Sequence, residues 1–391
     1  MIKNPFVSGI PSGTPINSPQ GKRLQFLDLF RGTFALLMVQ GHTFRALLDP
    51  SLKLNPVYHY HELLHNLPGP AFLFASGAAF SLATLSYWDE YRRWSARLGQ
   101  RLLRFLALLG VGYMLHLTYF SFRRTVAEGT SDQFIYLFSM DILQCIAAAA
   151  LLLQLLVMIL PNRKWFFRVT LLLGVLIGLA TPVFWTISKG LPWWLGTHWS
   201  GHWGSAFPLF PYAGFHLAGA AWGYLHSESR RAETETHFLR QTRKWSGVLI
   251  VAGLAAALFP LPGAYSDFWT TGPSFFFLRV GVLGFLIATF RVAEYRLLPA
   301  MRWVVLLGRE SLLVYVSHLL LLHGSALNPD RNLLKVLGSA RPAVDTVLVL
   351  FALTGLTATL CWGWSRLKQH HRWPAVQWSL AGYLAYAFLS G

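Results

Sequence analysis

The stretch at residues 23–44, RLQFLDLFRGTFALLMVQGHTF, decides the fold. At ~1.5 Å per residue it forms a helix long enough to cross the ~30 Å hydrocarbon core of a membrane. It nevertheless contains Arg31 near one end and His42 near the other, about 16 Å apart along a helix axis. Because ionisable groups are costly inside a membrane, this pair indicates a functional site within a transmembrane helix.

The composition of the whole chain indicates the same kind of protein. Its 391 residues are 54% hydrophobic and 13% charged, whereas a soluble protein has roughly 25% charged residues. Apolar runs of about 17–25 residues recur along the chain. The sequence therefore predicts an all-α, polytopic integral membrane protein with about 10–11 transmembrane helices. The predicted spans are 24–47, 68–86, 102–120, 138–160, 166–187, 207–226, 245–261, 272–290, 303–322, 343–364 and, as a shorter final span, 375–391.

The chain divides into a short tail and one domain. Residues 1–22 are polar and rich in Pro, Ser and Gly, which predicts a flexible cytoplasmic tail. Residues 23–391 show no internal repeat and no soluble segment long enough to fold alone, so we expect a single transmembrane domain. No cleavable signal peptide is recognisable, and we expect the first span to direct insertion. Cys145 and Cys361 lie in apolar runs, which favours buried thiols over a disulfide.

The basic residues predict an orientation. Most of the 33 Lys and Arg fall before the first span or in the even-numbered connections, and few fall in the odd-numbered ones. The positive-inside rule then places the N-terminus in the cytoplasm. It also explains the net charge of +17 by contact with anionic membrane lipids, without a nucleic-acid partner. We expect the inner (cytoplasmic) membrane of a bacterium as the location.

Several segments resemble one known family. RLQFLDLFRG, with ten residues between Arg31 and His42, resembles the first helix of the transmembrane acyltransferase superfamily (acyltransferase 3-like), and GPAFLFASG at 69–77 resembles its second. The most similar branch is the heparan-α-glucosaminide N-acetyltransferase-like group. Further similar segments are MDILQCI (140–146), FPLFPYAGF (207–215) and LGRESLLVYVSH (307–318).

This resemblance implies an enzyme that moves an acyl group, often acetyl from acetyl-CoA, across the membrane onto a glycan acceptor. The resemblance predicts no metal in this enzyme, and it is compatible with a homo-oligomer. In the lysosomal relatives the catalytic histidine lies just after the first helix. His42 lies earlier in this chain than that position, and the loop cluster of His59, His61 and His65 lies later, so the two remain alternatives. His42 is the preferred base or acyl carrier, with His61 and His65 in reserve. Arg31 is expected to act beside His42 as an electrostatic and positioning partner.

The residue types fit this chemistry. A neutral imidazole can take the proton from a sugar hydroxyl or amine as it attacks a thioester, or it can accept the acyl group itself. The phosphates of CoA require cationic side chains. Candidates for CoA binding are Arg92, Arg93, Arg97, Arg101, Arg104 and the deeply placed Arg279. Candidates for the substrate cavity are Asp141, Gln144, Tyr315 and His318, with Trp199 and Trp203 as a stacking platform for sugar rings.

Two other functions compete with acyl transfer. The segment HELLH at 61–65 matches the HExxH pattern of zinc peptidases, which would make the protein an outward-facing zinc hydrolase. A transporter for a small anion or a lipid-linked precursor would instead use Arg31, Arg279 and His318 to line its path. Transporters of that kind often have internal repeats, which this sequence does not show.

Overall fold

A computed structural model of the chain describes residues 24–259, 265, 267–369 and 373–390. The tail predicted at 1–22 lies outside these residues. In the part described, the regular structure is helical, and one isolated bridge pairs Leu48 with Arg341. The predicted all-α class is therefore confirmed.

The helices vary from single turns to long rods. The helices are α1 (Gln25–Leu47), α2 (Pro50–Lys53), α3 (Pro56–His65), α4 (Pro68–Ser86), α5 (Trp88–Arg92), α6 (Ala96–His116), α7 (Phe122–Glu128), α8 (Ser131–Phe138), α9 (Ile142–Ile159), α10 (Arg163–Ser188), α11 (Trp193–Trp199), α12 (Leu209–Arg231), α13 (Glu235–Ala256), α14 (Pro273–Leu297), α15 (Arg302–Arg309), α16 (Ser311–Leu322), α17 (Leu333–Leu337), α18 (Ala343–Leu367) and α19 (Trp373–Ser390). Within the described residues, a helix or a helix pair overlaps each predicted span. Among the described residues, six helices are long and apolar enough to cross a membrane, or seven if α15 and α16 together form one span.

Short polar residues fix where helices start near the candidate site. The Asn55 side chain accepts a hydrogen bond from the first turn of α3, whose first residue is Pro56. Asp141 does the same for α9, and the Gln144 side chain returns to the Asp141 backbone in a capping box. Because Asp141 is extended, α9 begins at Ile142 rather than at the predicted residue 138.

The prediction of one continuous helix over 303–322 is wrong. The chain bends by 82° between α15 and α16. The bend lies at Glu310, whose buried carboxylate accepts from the ammonium of Lys368, the residue that follows α18, at 2.6 Å from each oxygen. This ion pair anchors the non-helical residue, so the apolar run forms two helices instead of one.

Helix α1 occupies the centre of the bundle, packed against α4, α14, α15, α16 and α18. Its contact with α15 is close because both helices have glycine there. A Cβ built on Gly308 would overlap the Asp28 carbonyl, and one built on Gly32 would overlap the Val304 carbonyl. The site residues of α1 are thereby held on a rigid, buried element.

The bundle has two chemically different ends. The basic face is the end of the bundle where α1 begins. It includes Arg101, Arg231 and Arg291, whose guanidinium groups donate to α9, α4 and α13, respectively. The histidine face is the opposite end, where α1 ends, and its site histidines include His42 and His65. The two faces separate the basic side chains from the candidate site.

A polar network ties four helices together at the basic face. The Glu235 carboxylate accepts from His226 Nε2 at 2.8 Å and from Arg291 at 2.8 and 3.1 Å. Arg291 also donates to Glu294 at 2.6 Å, and the other oxygen of Glu294 accepts from the Phe26 backbone at the start of α1. The hydrogen bond from His226, and then the Arg291 guanidinium, hold the pKa of Glu235 down to about 2.

Candidate functional site

A cavity of about 470 Å³ lies at the histidine face. Its wall combines the end of α1, the start of α4, the segment before α9 and the end of α16. Its ionisable lining residues include His42, His65, His116, Asp141, Tyr315 and His323. The sequence therefore folds so that residues from distant segments surround one space large enough for a small substrate.

His42 is held from behind by a second histidine. Its Nδ1 lies 2.9 Å from Nε2 of His318 on α16, and the two rings stack with centroids 5.1 Å apart. His318 is fully buried, and its Nδ1 lies 2.7 Å from the carbonyl oxygen of Val314. His318 was predicted as a cavity residue, and the structure places it behind His42 instead.

This chain of contacts defines the proton positions on both rings. A carbonyl oxygen only accepts, so Nδ1 of His318 bears the proton that Val314 receives. Nε2 of the neutral His318 then accepts the hydrogen bond from Nδ1 of His42. In a neutral His42 the remaining nitrogen, Nε2, is unprotonated and free to act as a base toward the cavity.

Arg31 does not share the cavity of His42. Its guanidinium donates to the Ala75 carbonyl at 3.1 Å and lies 4.0 Å from the Asp28 carboxylate, the neighbour that the sequence suggested. It lines a second, smaller cavity of about 140 Å³, together with Ser76 and Tyr315. The predicted partnership of Arg31 with His42 is therefore not a direct contact.

Asp141 and Tyr315 meet at the wall of the large cavity. The Tyr315 hydroxyl donates to Oδ2 of Asp141, and Nε2 of His116 lies 3.9 Å from that same oxygen. Both residues were predicted for the cavity, and the structure brings them together there. Gln144 is buried and acts in the capping box of α9, so it does not line the cavity.

The loop histidines form a linked pair on α3. Nε2 of His65 lies 2.9 Å from Nε2 of His61, which lies 2.6 Å from the amide nitrogen of Gln40. His65 packs over Gly41 so closely that a Cβ there would overlap its ring. His65 lines the large cavity, whereas His61 stands behind it and His59 is exposed.

The HELLH segment is arranged differently from a zinc peptidase motif. Its glutamate, Glu62, accepts a 2.6 Å hydrogen bond from Arg45. Its two imidazoles bond to each other instead of converging with a third ligand. Among the described residues, no group of three or more His, Cys, Asp and Glu side chains is placed to hold a metal ion.

The predicted CoA arginines divide into surface and interior residues. Arg97 pairs with Glu90 at 2.8 Å, and Arg93 and Arg104 are exposed, while Arg92 is half-buried. Arg101 is buried and donates to the side chains of Thr84 and Gln154 at 2.9 and 3.0 Å. Arg101 therefore joins α4, α6 and α9 inside the bundle, a contact that the sequence pattern did not predict.

Arg279 is buried far from that group of arginines. It lies on α14, with its guanidinium 3.8 Å from the centroid of the Phe275 ring and beside Tyr212. Tyr212 lines the large cavity, so Arg279 approaches that cavity from behind a tyrosine. Arg279 therefore lies next to the large cavity, behind Tyr212, and apart from the other predicted CoA arginines.

The two predicted tryptophans do not line the large cavity. Trp199 packs against Phe184 and Phe210, with ring centroids 4.9 and 5.8 Å away. The indole nitrogen of Trp203 is buried beside Gly196. In this arrangement the rings pack against the protein's own side chains, and a role in sugar stacking stays a prediction.

Most residues that line the cavity were not predicted as site residues. Those with ionisable side chains include Arg45, His116, Tyr212 and His323. His116 and His323 lie at helix ends that the charge pattern assigns to the same side as His42, which is the one signal that could have indicated them. Tyr212 has no such signal, because its position depends on how α12 packs against α14.

Comparison with known proteins identifies the family of the chain. The family described as Acyltransferase domain, of the acyltransferase 3 type, matches residues 24–388. The chain therefore belongs to this family of membrane acyltransferases. No curated protein matches the chain. The match covers both the α1 helix with Arg31 and His42 and the broken pair α15–α16.

Proposed function

We propose that this protein transfers an acetyl group from acetyl-CoA to a hydroxyl or amine of an extracytoplasmic saccharide. The main support is His42, which faces the large cavity with one ring nitrogen held by His318 and the other free to accept a proton. Family membership supports the acyl transfer itself. The donor and the acceptor follow the resemblance to heparan-α-glucosaminide N-acetyltransferases.

The orientation follows from the charges on the two faces. In this proposal the basic face lies in the cytoplasm of a bacterium, in keeping with the positive-inside rule, and the histidine face lies outside. Acetyl-CoA then approaches from the basic face. The exposed Arg93 and Arg104 there, with the half-buried Arg92, offer charge to its phosphates.

The transfer step is a general-base reaction with His42. The acceptor O–H or N–H gives its proton to Nε2 of His42 while its oxygen or nitrogen attacks the thioester carbonyl carbon. The tetrahedral intermediate collapses, the C–S bond breaks, and the CoA thiolate takes the proton from His42 and leaves as the thiol. During the step, Nε2 of His318 stabilises the imidazolium by accepting from its Nδ1–H.

The two alternative functions have less support. Glu62, the base of the zinc hydrolase hypothesis, is paired with Arg45. Membership in an acyltransferase family favours group transfer over transport of an anion.

Turnover of acetyl-CoA by the purified full chain tests the proposal, with glucosamine as the acceptor and release of free thiol as the readout. We expect His42→Ala to lower turnover by roughly 10²-fold or more, because a general base contributes about 10²–10⁴-fold. The exposed His59 gives a matched control, and His59→Ala should leave the rate unchanged. Loss only in a His61→Ala/His65→Ala variant would contradict the assignment of His42.

A further inference from the structure

Tyr315 lies between the two cavities. It lines the large cavity with His42 and also the small cavity with Arg31, and the other residue shared by both is Ile142. The lining of the small cavity is mostly apolar, and it does not include His42. The shared wall therefore consists of the start of α9 and the first turns of α16.

A side-chain hydrogen bond joins the two sides of this wall. The Tyr315 hydroxyl donates to Asp141, which is itself fixed because it accepts from the Ile142 backbone at 2.7 Å as the cap of α9. Tyr315 comes a few residues after the bend at Glu310, so its helix starts beside the small cavity. One rotatable side chain thus bridges two separately anchored helices.

We propose that Tyr315, bonded to Asp141, is a movable partition that separates the cavity of Arg31 from the cavity of His42. Rotation of its side chain to another rotamer joins the two cavities without moving the backbone. Tyr315 is then a positioning residue: it determines when an acyl group on one side can meet the base on the other. The role of Tyr315 in acyl transfer rests on the proposed function, whereas the separation of the two cavities by Tyr315 does not.

Cysteine labelling tests the partition independently of catalysis. Ser76 lines the small cavity but not the large one. A Ser76→Cys variant in liposomes is therefore treated with a membrane-impermeant methanethiosulfonate from the histidine face. His59→Cys reports the orientation, and the parent protein gives the background, since its own two thiols are buried. We expect Ser76→Cys to react slowly, and at least tenfold faster when Tyr315→Ala is added.

Matched variants separate the partition from general loosening of the fold. Tyr315→Phe, which loses the hydrogen bond to Asp141 but keeps the ring, should raise the labelling rate by less than Tyr315→Ala. Tyr136 lines only the large cavity, and Tyr136→Ala should leave the rate unchanged. Fast labelling of Ser76→Cys in the parent, no effect of Tyr315→Ala, or an equal effect of Tyr136→Ala would overturn the proposal.

A second readout links the partition to acyl transfer. An open partition admits water to the donor, so Tyr315→Phe should raise acetyl-CoA hydrolysis without acceptor at least threefold. A fall in that rate would overturn the proposal by making the hydroxyl itself part of the chemistry. If the wild type consumes no acetyl-CoA, the proposed function fails and the labelling experiment still decides whether Tyr315 is a partition.

Discussion

At the residue scale, the chemistry of the site depends on one carbonyl oxygen. Val314 lies four residues before His318, so an α-helix brings its carbonyl within reach of the His318 ring. That contact fixes the proton on His318, and His318 in turn fixes the proton on His42. In the proposed reaction, the buried His318 therefore determines which nitrogen of His42 would act as the base.

Replacing His318 tests this chain of hydrogen bonds. We expect His318→Leu to lower kcat for acetyl-CoA by roughly 10²-fold, because a base whose orienting partner is lost no longer presents the correct nitrogen. KM for acetyl-CoA should stay unchanged, since His318 lies behind His42. His318→Gln should recover part of the rate, because its amide oxygen can accept from Nδ1 of His42. Equal kcat values for His318→Leu and the wild type would contradict this role.

At the element scale, the bend between α15 and α16 brings residues of α16 to the cavities. In one straight helix, these residues would lie away from the cavities. The break lets α15 pack closely on α1 near Asp28, while α16 continues past Tyr315 to His318 behind His42. The ion pair between the buried Glu310 and the partly exposed Lys368 anchors this geometry. The bend therefore depends on α18 as well as on the sequence at the break.

Removing one partner of that pair should destabilise the bundle. Lys368→Met leaves the buried Glu310 carboxylate without its cation. Because the Lys368 side chain is 35% exposed, we expect a cost below the about 3–5 kcal/mol of a fully buried pair, seen as a lower unfolding temperature in detergent. The double variant Glu310→Gln/Lys368→Met should recover at least half of that loss. Lys335→Met, at an exposed pair with Asp330, is the control and should change little. Equal unfolding temperatures for both lysine variants would argue against an anchoring role.

At the scale of the whole molecule, the two faces have different tasks. The basic face is stabilised by bonded networks such as the one at Glu235, which joins the ends of α12, α13 and α14. The histidine face holds the large cavity with His42, the base of the proposed reaction. The stabilising ion-pair network and the proposed reactive group therefore lie at opposite ends of the bundle, as in a scaffold that supports a functional site.

The network at Glu235 predicts a dependence of stability on pH. The folded pKa of about 2 lies below the ordinary value of 4.5, so the stabilisation is complete above pH 4.5 and is lost as pH falls toward 2. Between pH 6 and pH 3.5 we expect a loss of about 1 kcal/mol from this group. Thermal unfolding in detergent at both pH values should show a smaller loss for Glu235→Gln. An identical acid response in both proteins would contradict the assignment.

The sequence by itself determined the class of the protein, and it pointed to His42 as a candidate site residue. Apolar runs predicted the helices because a membrane requires that length and polarity, and the spacing of Arg31 and His42 indicated where a site begins. The family match over residues 24–388 confirms the superfamily to which that segment is similar. These features are readable because they are periodic or local along the chain.

The tertiary structure alone decided which side chains meet. His42 and His318 are separated by 276 residues, and no local pattern predicts that their rings bond. The same holds for Arg101, which looked like a surface cation and instead joins three helices, and for Glu310, whose partner directly follows α18. Each depends on contacts between helices, because packing and buried charge pairing are set by the neighbours that the fold supplies.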